Sequence, residues 1–162
     1  MKRPNIRCPY CGSRAYLRPA SVLDKTEKED RDAMFYVCAR YPACDSYVTA
    51  HAASRMPMGT LANRQLRQKR RIAHLALNEL WQSNIMTRKE AYRWLQLQLG
   101  LEPEDTHIAM FLDYRCGETI RLCRNFMNQY RRGKEGNQDL IKRGESANEA
   151  AFTVNSRAAN PC

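Results

Sequence analysis

Apolar positions along the chain change their period near residue 60. Before residue 60 they form three short stretches, RAYLR at 14–18, AMFYVCA at 33–39 and SYVTA at 46–50. In these stretches the apolar residues either alternate with polar residues or follow one another without a break, and both patterns are typical of strands. From residue 60 to about residue 131 they recur every three or four positions, the spacing of helices that bury one face. The pattern predicts an α+β protein, with short antiparallel hairpins followed by a small bundle of about three helices.

The first predicted helix begins after Thr60 as its N-cap and ends at about Ser83. Its apolar residues recur at helical spacing and should face a core: Leu66, Ala73, Leu77 and Leu80. A second, basic stripe on the same helix lies roughly 130° away around the axis. One face can therefore pack while the other meets an anion.

The second predicted helix has clear start and stop signals. Thr87 and Glu90 have the spacing of a capping box, Gly100 supplies the left-handed stop, and Pro103 prevents continuation. The apolar face consists of Ala91, Trp94, Leu95 and Leu99. These signals define a short amphipathic helix with little ambiguity.

The third predicted helix starts near Asp113 and runs to about Arg131. One buried seam is expected, made of Cys116, Ile120, Cys123, Met127 and Tyr130. Cys116 and Cys123 lie roughly 10 Å apart along such a helix, too far to share one zinc ion. We therefore interpret them as buried thiols that act as small hydrophobic side chains.

Composition divides the chain into four parts. We predict a four-cysteine ribbon at 1–50, a linker at 51–59 (HAASRMPMG), a basic helical domain at 60–132 and a flexible tail at 133–162. The tail loses apolar periodicity and is balanced in charge. Within the ribbon, the charge run DKTEKEDRD at 24–32 is typical of a solvated loop.

Four cysteines carry the most specific chemistry in the sequence. Cys8 and Cys11 are spaced C-x2-C, and Cys38 and Cys44 are spaced C-x5-C, a pattern that fits one tetrahedral zinc ion held by four thiolates. Gly12 follows the first pair, where a positive φ lets backbone N–H groups point at the thiolates. So small a ribbon would depend on one structural zinc for much of its folding free energy.

Two other interpretations of these cysteines fit less well. A thioredoxin-like C-x-x-C opens a helix within a βαβ unit, and residue 8 leaves no room for a preceding strand. A disulfide framework conflicts with seven cysteines, an odd number, in a chain that lacks a secretory signal. We expect a reducing, cytoplasmic location.

The charge of the chain favours an anionic partner. The formal net charge is +10, and residues 55–93 alone hold nine basic and two acidic residues. The basic residues proposed to contact phosphate on the first helix are Arg64, Arg67, Arg70 and Arg71. In the ribbon, arginines alternate with aromatic residues that can stack on bases, namely Arg14, Tyr16, Arg18, Tyr36 and Arg40.

The sequence contains little that indicates a membrane protein or an enzyme. No run of 18 apolar residues exists, so no membrane partner is expected. No phosphate loop, no Ser–His–Asp grouping and no catalytic metal spacing is present, and a zinc ion held by four cysteines leaves no position open for water. We therefore expect a binding protein and not an enzyme.

The cysteine motif resembles the four-cysteine zinc fingers at the tail of bacterial type IA topoisomerases. The matching residues are Cys8, Pro9, Cys11, Gly12, Cys38, Tyr41, Pro42 and Cys44. The resemblance implies a zinc ribbon that grips single-stranded DNA, with RNA as the other nucleic acid to consider. The loop between the cysteine pairs is longer here, and the chain has no topoisomerase catalytic domain.

A second resemblance covers residues 6–130. The YPxC motif, PMGTLAN, the basic helix, MTRKEAYRWL and HIAMF together resemble a family of small zinc-finger-containing proteins of phages and prophages. The resemblance implies a mobile-element origin and names no substrate. It adds an alternative function, a counter-defence, anti-CRISPR-like inhibitor that occupies the nucleic-acid channel of a host nucleoprotein enzyme.

Overall fold

The chain folds, in a computed structural model that describes residues 4–23 and 32–142, into a small sheet followed by helices. The strands are β1 (Ala15–Pro19), β2 (Met34–Cys38) and β3 (Tyr47–Thr49), and the helices are α1 (Arg64–Gln82), α2 (Arg88–Leu99) and α3 (Asp113–Lys142). The predicted α+β class and order of elements are confirmed. Most of the predicted charged loop, and the predicted tail from residue 143, lie outside the described residues.

The sheet is antiparallel and has the order β1-β2-β3, with β2 in the centre. Side chains of β2 are buried on both faces, because Phe35 and Val37 join one apolar cluster while Tyr36 and Cys38 join another. A strand that is covered on both sides reads as a continuous apolar run, which explains the sequence MFYVC.

Residues 51–58, within the predicted linker, fold back as a turn on the end of β3. The N–H of His51 donates to the carbonyl oxygen of Met56 (2.8 Å), and the N–H of Met58 donates to that of Thr49 (2.9 Å). Gly59 then passes so close to Ala109 that a Cβ at this position would lie 2.2 Å from the Ala109 carbonyl oxygen. Only glycine fits this crossing point.

The start of α1 differs from the prediction. Asn63 and not Thr60 is the N-cap, and its side-chain oxygen accepts the N–H of Leu66 at 2.9 Å. Thr60 has another task, since its carbonyl and hydroxyl oxygens accept hydrogen bonds from Arg70. Both residue types are good caps, so the sequence offered two candidates three positions apart.

The ends of α2 and the start of α3 agree with the prediction, whereas the end of α3 does not. The capping box of Thr87 and Glu90 is present, and Gly100 ends α2 in the left-handed conformation (φ 61°). α3 begins at Asp113 as predicted, but it extends to Lys142 and does not end at Arg131. Residues 131–142 lack apolar periodicity and include Gly133 and Gly136, so neither the apolar pattern nor helix propensity predicts this extension.

The chain divides into two units, residues 1–121 and 122–162, with the boundary inside α3. In the first unit most of the predicted core residues of the helices are buried, namely Leu66, Ala73, Leu77, Leu80, Ala91, Leu95 and Cys116, whereas Trp94, Leu99 and Ile120 are half-buried. In the second unit Cys123 and Met127 are buried. No helix in the described part of the chain combines the length and apolar character that a bilayer crossing requires.

Candidate metal centre

Two loops of the ribbon bring the four predicted cysteines together. Cys8 and Cys11 lie in the turn before β1, Cys38 is the last residue of β2, and Cys44 lies in the loop before β3. The antiparallel register pairs Ala15 with Cys38, so the β1 end of the first loop meets the β2 end of the second. The sheet therefore holds the two cysteine pairs against each other.

The sulfur positions fit a tetrahedral zinc site. The Sγ atoms of Cys8 and Cys44 lie 3.6 Å apart, those of Cys11 and Cys38 lie 3.4 Å apart, and all four lie within 4.8 Å of one another. Four thiolates on one zinc, each at about 2.3 Å, would be separated by about 3.8 Å. The residues present therefore fit one structural zinc ion, as predicted.

Backbone hydrogen bonds shape both loops. In the first loop Gly12 has φ 70°, and its N–H donates to the Cys8 carbonyl oxygen at 2.9 Å. In the second loop the N–H of Tyr41 donates to Cys38, and that of Cys44 donates to Arg40, each at 3.0 Å. These tight turns place both sulfurs of each pair on one side of the loop.

The metal-free thiols have very different acidities. Hydrogen bonds from the Ser13 hydroxyl, and then from the Ser13 backbone, lower the pKa of Cys11 to about 6. Burial raises the pKa of Cys38 to about 12. A bound metal ion deprotonates its thiol ligands, so metal loading at neutral pH releases protons, that of the buried Cys38 thiol among them.

The alternatives to a metal site do not match the geometry. The six cysteines in the described part of the chain form no disulfide bond. Among these residues, the four clustered cysteines are the one group of His, Cys, Asp or Glu that could hold a metal ion, and Cys116 and Cys123 do not belong to it. A closed site of four thiolates has a structural and not a catalytic role.

A three-stranded sheet closed at one end by four thiolates defines the class of the protein, a zinc finger with one structural metal site. The chain belongs to a family described as a zinc-finger-containing domain, whose sequence model matches residues 4–126. No curated protein and no solved structure matches the chain.

The ribbon residues predicted to bind nucleic acid fall into two groups. Arg14, Tyr16, Arg18 and Arg40 are exposed, and Tyr16 retains 48% of its accessible surface. The prediction for Tyr36 is wrong, because its ring is buried and its hydroxyl donates to the Arg55 carbonyl oxygen at 2.8 Å. Tyr36 therefore cannot stack on a base.

The arginines of α1 that were predicted to contact phosphate also fall into exposed and buried groups. Arg64 and Arg71 are exposed. The prediction for Arg70 is wrong, because its guanidinium is buried and donates to the carbonyl oxygens of Phe111 and Thr60, each at 2.9 Å. Burial lowers the pKa of Arg70. Arg70 therefore joins segments of the fold and does not face a ligand.

Arg67 is half-buried and links α1 to the second cysteine loop. Its guanidinium pairs with the carboxylate of Asp45 at 3.1 Å and lies 3.8 Å above the centre of the Tyr47 ring. Asp45 also accepts the backbone N–H of Arg64 at 2.9 Å. The residue after a zinc ligand thus fixes the start of the basic helix.

Sequence reasoning missed Asp45 and Ser46, the two polar residues between Cys44 and β3. Ser46 is fully buried, with its hydroxyl against two of the cysteine sulfurs. The sequence signal that could have identified them is their position directly after a metal ligand. Polar residues at such positions often donate hydrogen bonds to the thiolates or cap the next helix.

Proposed function

We propose that this zinc finger binds single-stranded nucleic acid along the outer edge of β1. The observation that carries the proposal is the row of exposed side chains Arg14, Tyr16 and Arg18. Alternate residues of a strand share one face, at roughly 6.8 Å spacing. An aromatic ring between two arginines matches a base stacked between two phosphate contacts.

A groove lies along the same edge. It has a volume of about 750 Å³. The described residues that line it include no carboxylate; they are Pro4, Asn5, Arg14, Ala15, Tyr16, Leu17, Arg18 and Tyr36. A groove with two arginines and no acidic lining suits a polyanion.

Main-chain groups on the outer side of β1 favour a single-stranded nucleic acid as the ligand. The N–H of Ala15 donates away from β2, to the carbonyl oxygen of Ile6 at 2.9 Å. Because main-chain groups alternate between the two sides of a strand, the N–H and C=O of Leu17 point the same way. On this outer side, away from β2, no described strand pairs with β1 beside Leu17. An unpaired base can offer its Watson–Crick edge to such groups, whereas a duplex cannot.

Single-stranded DNA is the favoured ligand and RNA the second. The exposed arginines of α1, Arg64 and Arg71, and Arg40 of the second cysteine loop would add phosphate contacts. The proposal is of a binding protein with no catalytic role. Its setting, a phage or prophage protein acting in the host cytoplasm, is supported by the resemblance of residues 6–130. The likeness to topoisomerase fingers supports single-stranded DNA as the ligand.

A salt titration of fluorescence anisotropy with a short labelled single strand tests the proposal. Removing both arginines (Arg14→Gln with Arg18→Gln) should flatten the plot of log affinity against log salt by about 0.7 for each arginine. Tyr16→Ala should cost about 1–3 kcal/mol of single-strand binding. Competition with a duplex and with an RNA of the same sequence ranks the affinities for single-stranded DNA, double-stranded DNA and RNA.

Matched controls come from the first unit. Arg93 on α2 and Tyr114 at the start of α3 are exposed residues of the same types. Arg93→Gln and Tyr114→Ala should leave single-strand affinity unchanged. If the β1 variants behave like these controls, or if wild-type protein binds no oligonucleotide at low salt, the proposal fails.

A second candidate function is docking on a protein, such as a host nucleoprotein enzyme. The observation that favours it is on α1, where Leu75 (58% exposed) and Ile72 (37% exposed) lie beside Arg71. Apolar side chains have no counterpart in a phosphodiester backbone, but they suit an acidic protein surface with apolar residues. The variant Ile72→Gln with Leu75→Gln should then abolish capture of the partner and leave oligonucleotide binding intact.

A further inference from the structure

Ser46 contacts three of the four cysteines. Its Oγ lies 2.9 Å from the Sγ of Cys8 and 3.3 Å from the Sγ of Cys44. Its carbonyl oxygen accepts the backbone N–H of Cys38 at 3.0 Å. The side chain is fully buried, so water cannot take over these contacts.

The direction of the side-chain hydrogen bonds follows from the charge of the sulfurs. A metal-bound cysteine is a thiolate and has no proton to donate, so the hydroxyl must be the donor. Ser46 has one hydroxyl proton for two sulfurs, and the shorter distance directs it to Cys8. A hydrogen bond to a charged acceptor is stronger than a neutral one.

We propose that Ser46 is a positioning residue of the metal centre. Its hydroxyl donates to the Cys8 thiolate, fixes the position of that sulfur and offsets part of the negative charge that four thiolates leave around one divalent ion. Its backbone carbonyl holds Cys38 in register with Cys8 and Cys44. The proposal concerns metal retention and does not depend on the proposed nucleic-acid function.

A second serine provides a natural comparison. The Ser13 hydroxyl bonds the sulfur of Cys11, but Ser13 and Cys11 are both partly exposed. Water can replace the hydroxyl of Ser13 once it is removed, whereas the fully buried site of Ser46 admits none. Removing the Ser46 hydroxyl should therefore weaken metal binding more than removing that of Ser13.

The test measures zinc affinity of the full chain by competition with a chromophoric chelator. Ser46→Ala should weaken zinc binding by about 10- to 100-fold, the usual effect of losing an outer-shell partner. Ser13→Ala should weaken it less. Ser54→Ala, which removes an exposed hydroxyl from the turn after β3, should leave it unchanged.

A second readout reports on the sulfurs directly. With Co²⁺ in place of zinc, loss of the hydroxyl donor should move the thiolate-to-metal charge-transfer bands of Ser46→Ala to lower energy, because the sulfurs become more electron-rich. The bands of Ser54→Ala should coincide with those of wild-type protein. Wild-type affinity together with wild-type bands in Ser46→Ala would overturn the proposal.

Ser46→Thr and Ser46→Val separate the hydroxyl from packing, because the two side chains have nearly the same shape. The Thr variant should bind zinc more tightly than the Val variant and keep the wild-type band positions. This comparison stands even if Ser46→Ala does not fold. Equal affinities and equal bands in the Thr and Val variants would show that Ser46 only fills space, and the proposal would fail.

Discussion

At the scale of single residues, two adjacent arginines of α1 have opposite environments. Arg70 is buried, with hydrogen bonds to Phe111 and Thr60, whereas Arg71 is exposed. A run of basic residues therefore contains one side chain that stabilises the fold. Its partner Phe111 lies 41 residues away in sequence, and no local pattern reveals such a contact.

Replacing Arg70 tests this role. Arg70→Gln should lower the free energy of unfolding by about 1–3 kcal/mol, because buried carbonyl oxygens of Thr60 and Phe111 lose their donors. Arg71→Gln is the matched control and should change it by less than about 0.5 kcal/mol. Urea denaturation followed by circular dichroism measures both. Equal midpoints for the two variants would contradict the structural role of Arg70.

At the scale of elements, the second cysteine loop is joined to the start of α1. Asp45 accepts the backbone N–H of Arg64 and pairs with Arg67, and a carboxylate is favourable near the positive end of a helix. The ion pair itself is half-exposed and contributes at most about 1 kcal/mol. The ion pair matters more for positioning than for stability, because through it the loop that holds the metal also positions the first turn of the basic helix.

Metal removal should therefore loosen that first turn selectively. After treatment with a chelator, the amides of Arg64 and Arg67 should exchange hydrogen faster, because the loop that carries Asp45 loses its anchor. The amide of Ala91, in the self-contained capping box of α2, is the internal control and should change less. Hydrogen exchange with mass spectrometry measures both. Unchanged protection of the first turn of α1 in zinc-free protein would refute the coupling.

The elements show which parts of the fold are predictable from the sequence. The capping box of α2 and its glycine stop involve residues within a few positions of each other, and both were predicted correctly. The wrong predictions for Tyr36 and Arg70 depended on burial. Tyr16 and Tyr36 are both aromatic strand residues, but one lies on an edge strand and the other on a central strand that is covered on both faces.

The metal site was predictable for a similar reason. Cysteine spacing within each loop is local, and two such cysteine pairs fit few arrangements other than a four-thiolate metal site. Ser46 was not predictable, since its contact with Cys8 spans 38 residues. The ligands of the metal were therefore evident from the sequence, whereas the groups that support the ligands required the structure.

At the scale of the whole molecule, the sheet and the helices differ in what stabilises them. The sheet has three strands of three to five residues, and its apolar clusters include the metal ligands Cys8 and Cys38. The helices bury their own apolar residues, such as Leu77, Leu80 and Leu95. The metal should therefore matter far more for the sheet than for the helices.

Removal of one ligand tests this division. Cys38→Ser should release zinc and unfold the sheet, while most of the helical circular dichroism remains. Cys116→Ala, which removes a buried thiol outside the cluster, should retain one zinc per chain. Elemental analysis and far-ultraviolet circular dichroism make the comparison. Full zinc content in Cys38→Ser, or zinc loss in Cys116→Ala with its helices intact, would contradict the assignment.

The close passage of Gly59 over Ala109 limits how this sequence can vary. Every other residue would place a Cβ 2.2 Å from a backbone oxygen, and a backbone atom cannot rotate away as a side chain can. Gly100 differs, because its left-handed backbone faces open space and asparagine tolerates that conformation. In a saturation library selected for folded, zinc-loaded protein, position 59 should recover glycine alone, whereas position 100 should recover glycine together with asparagine.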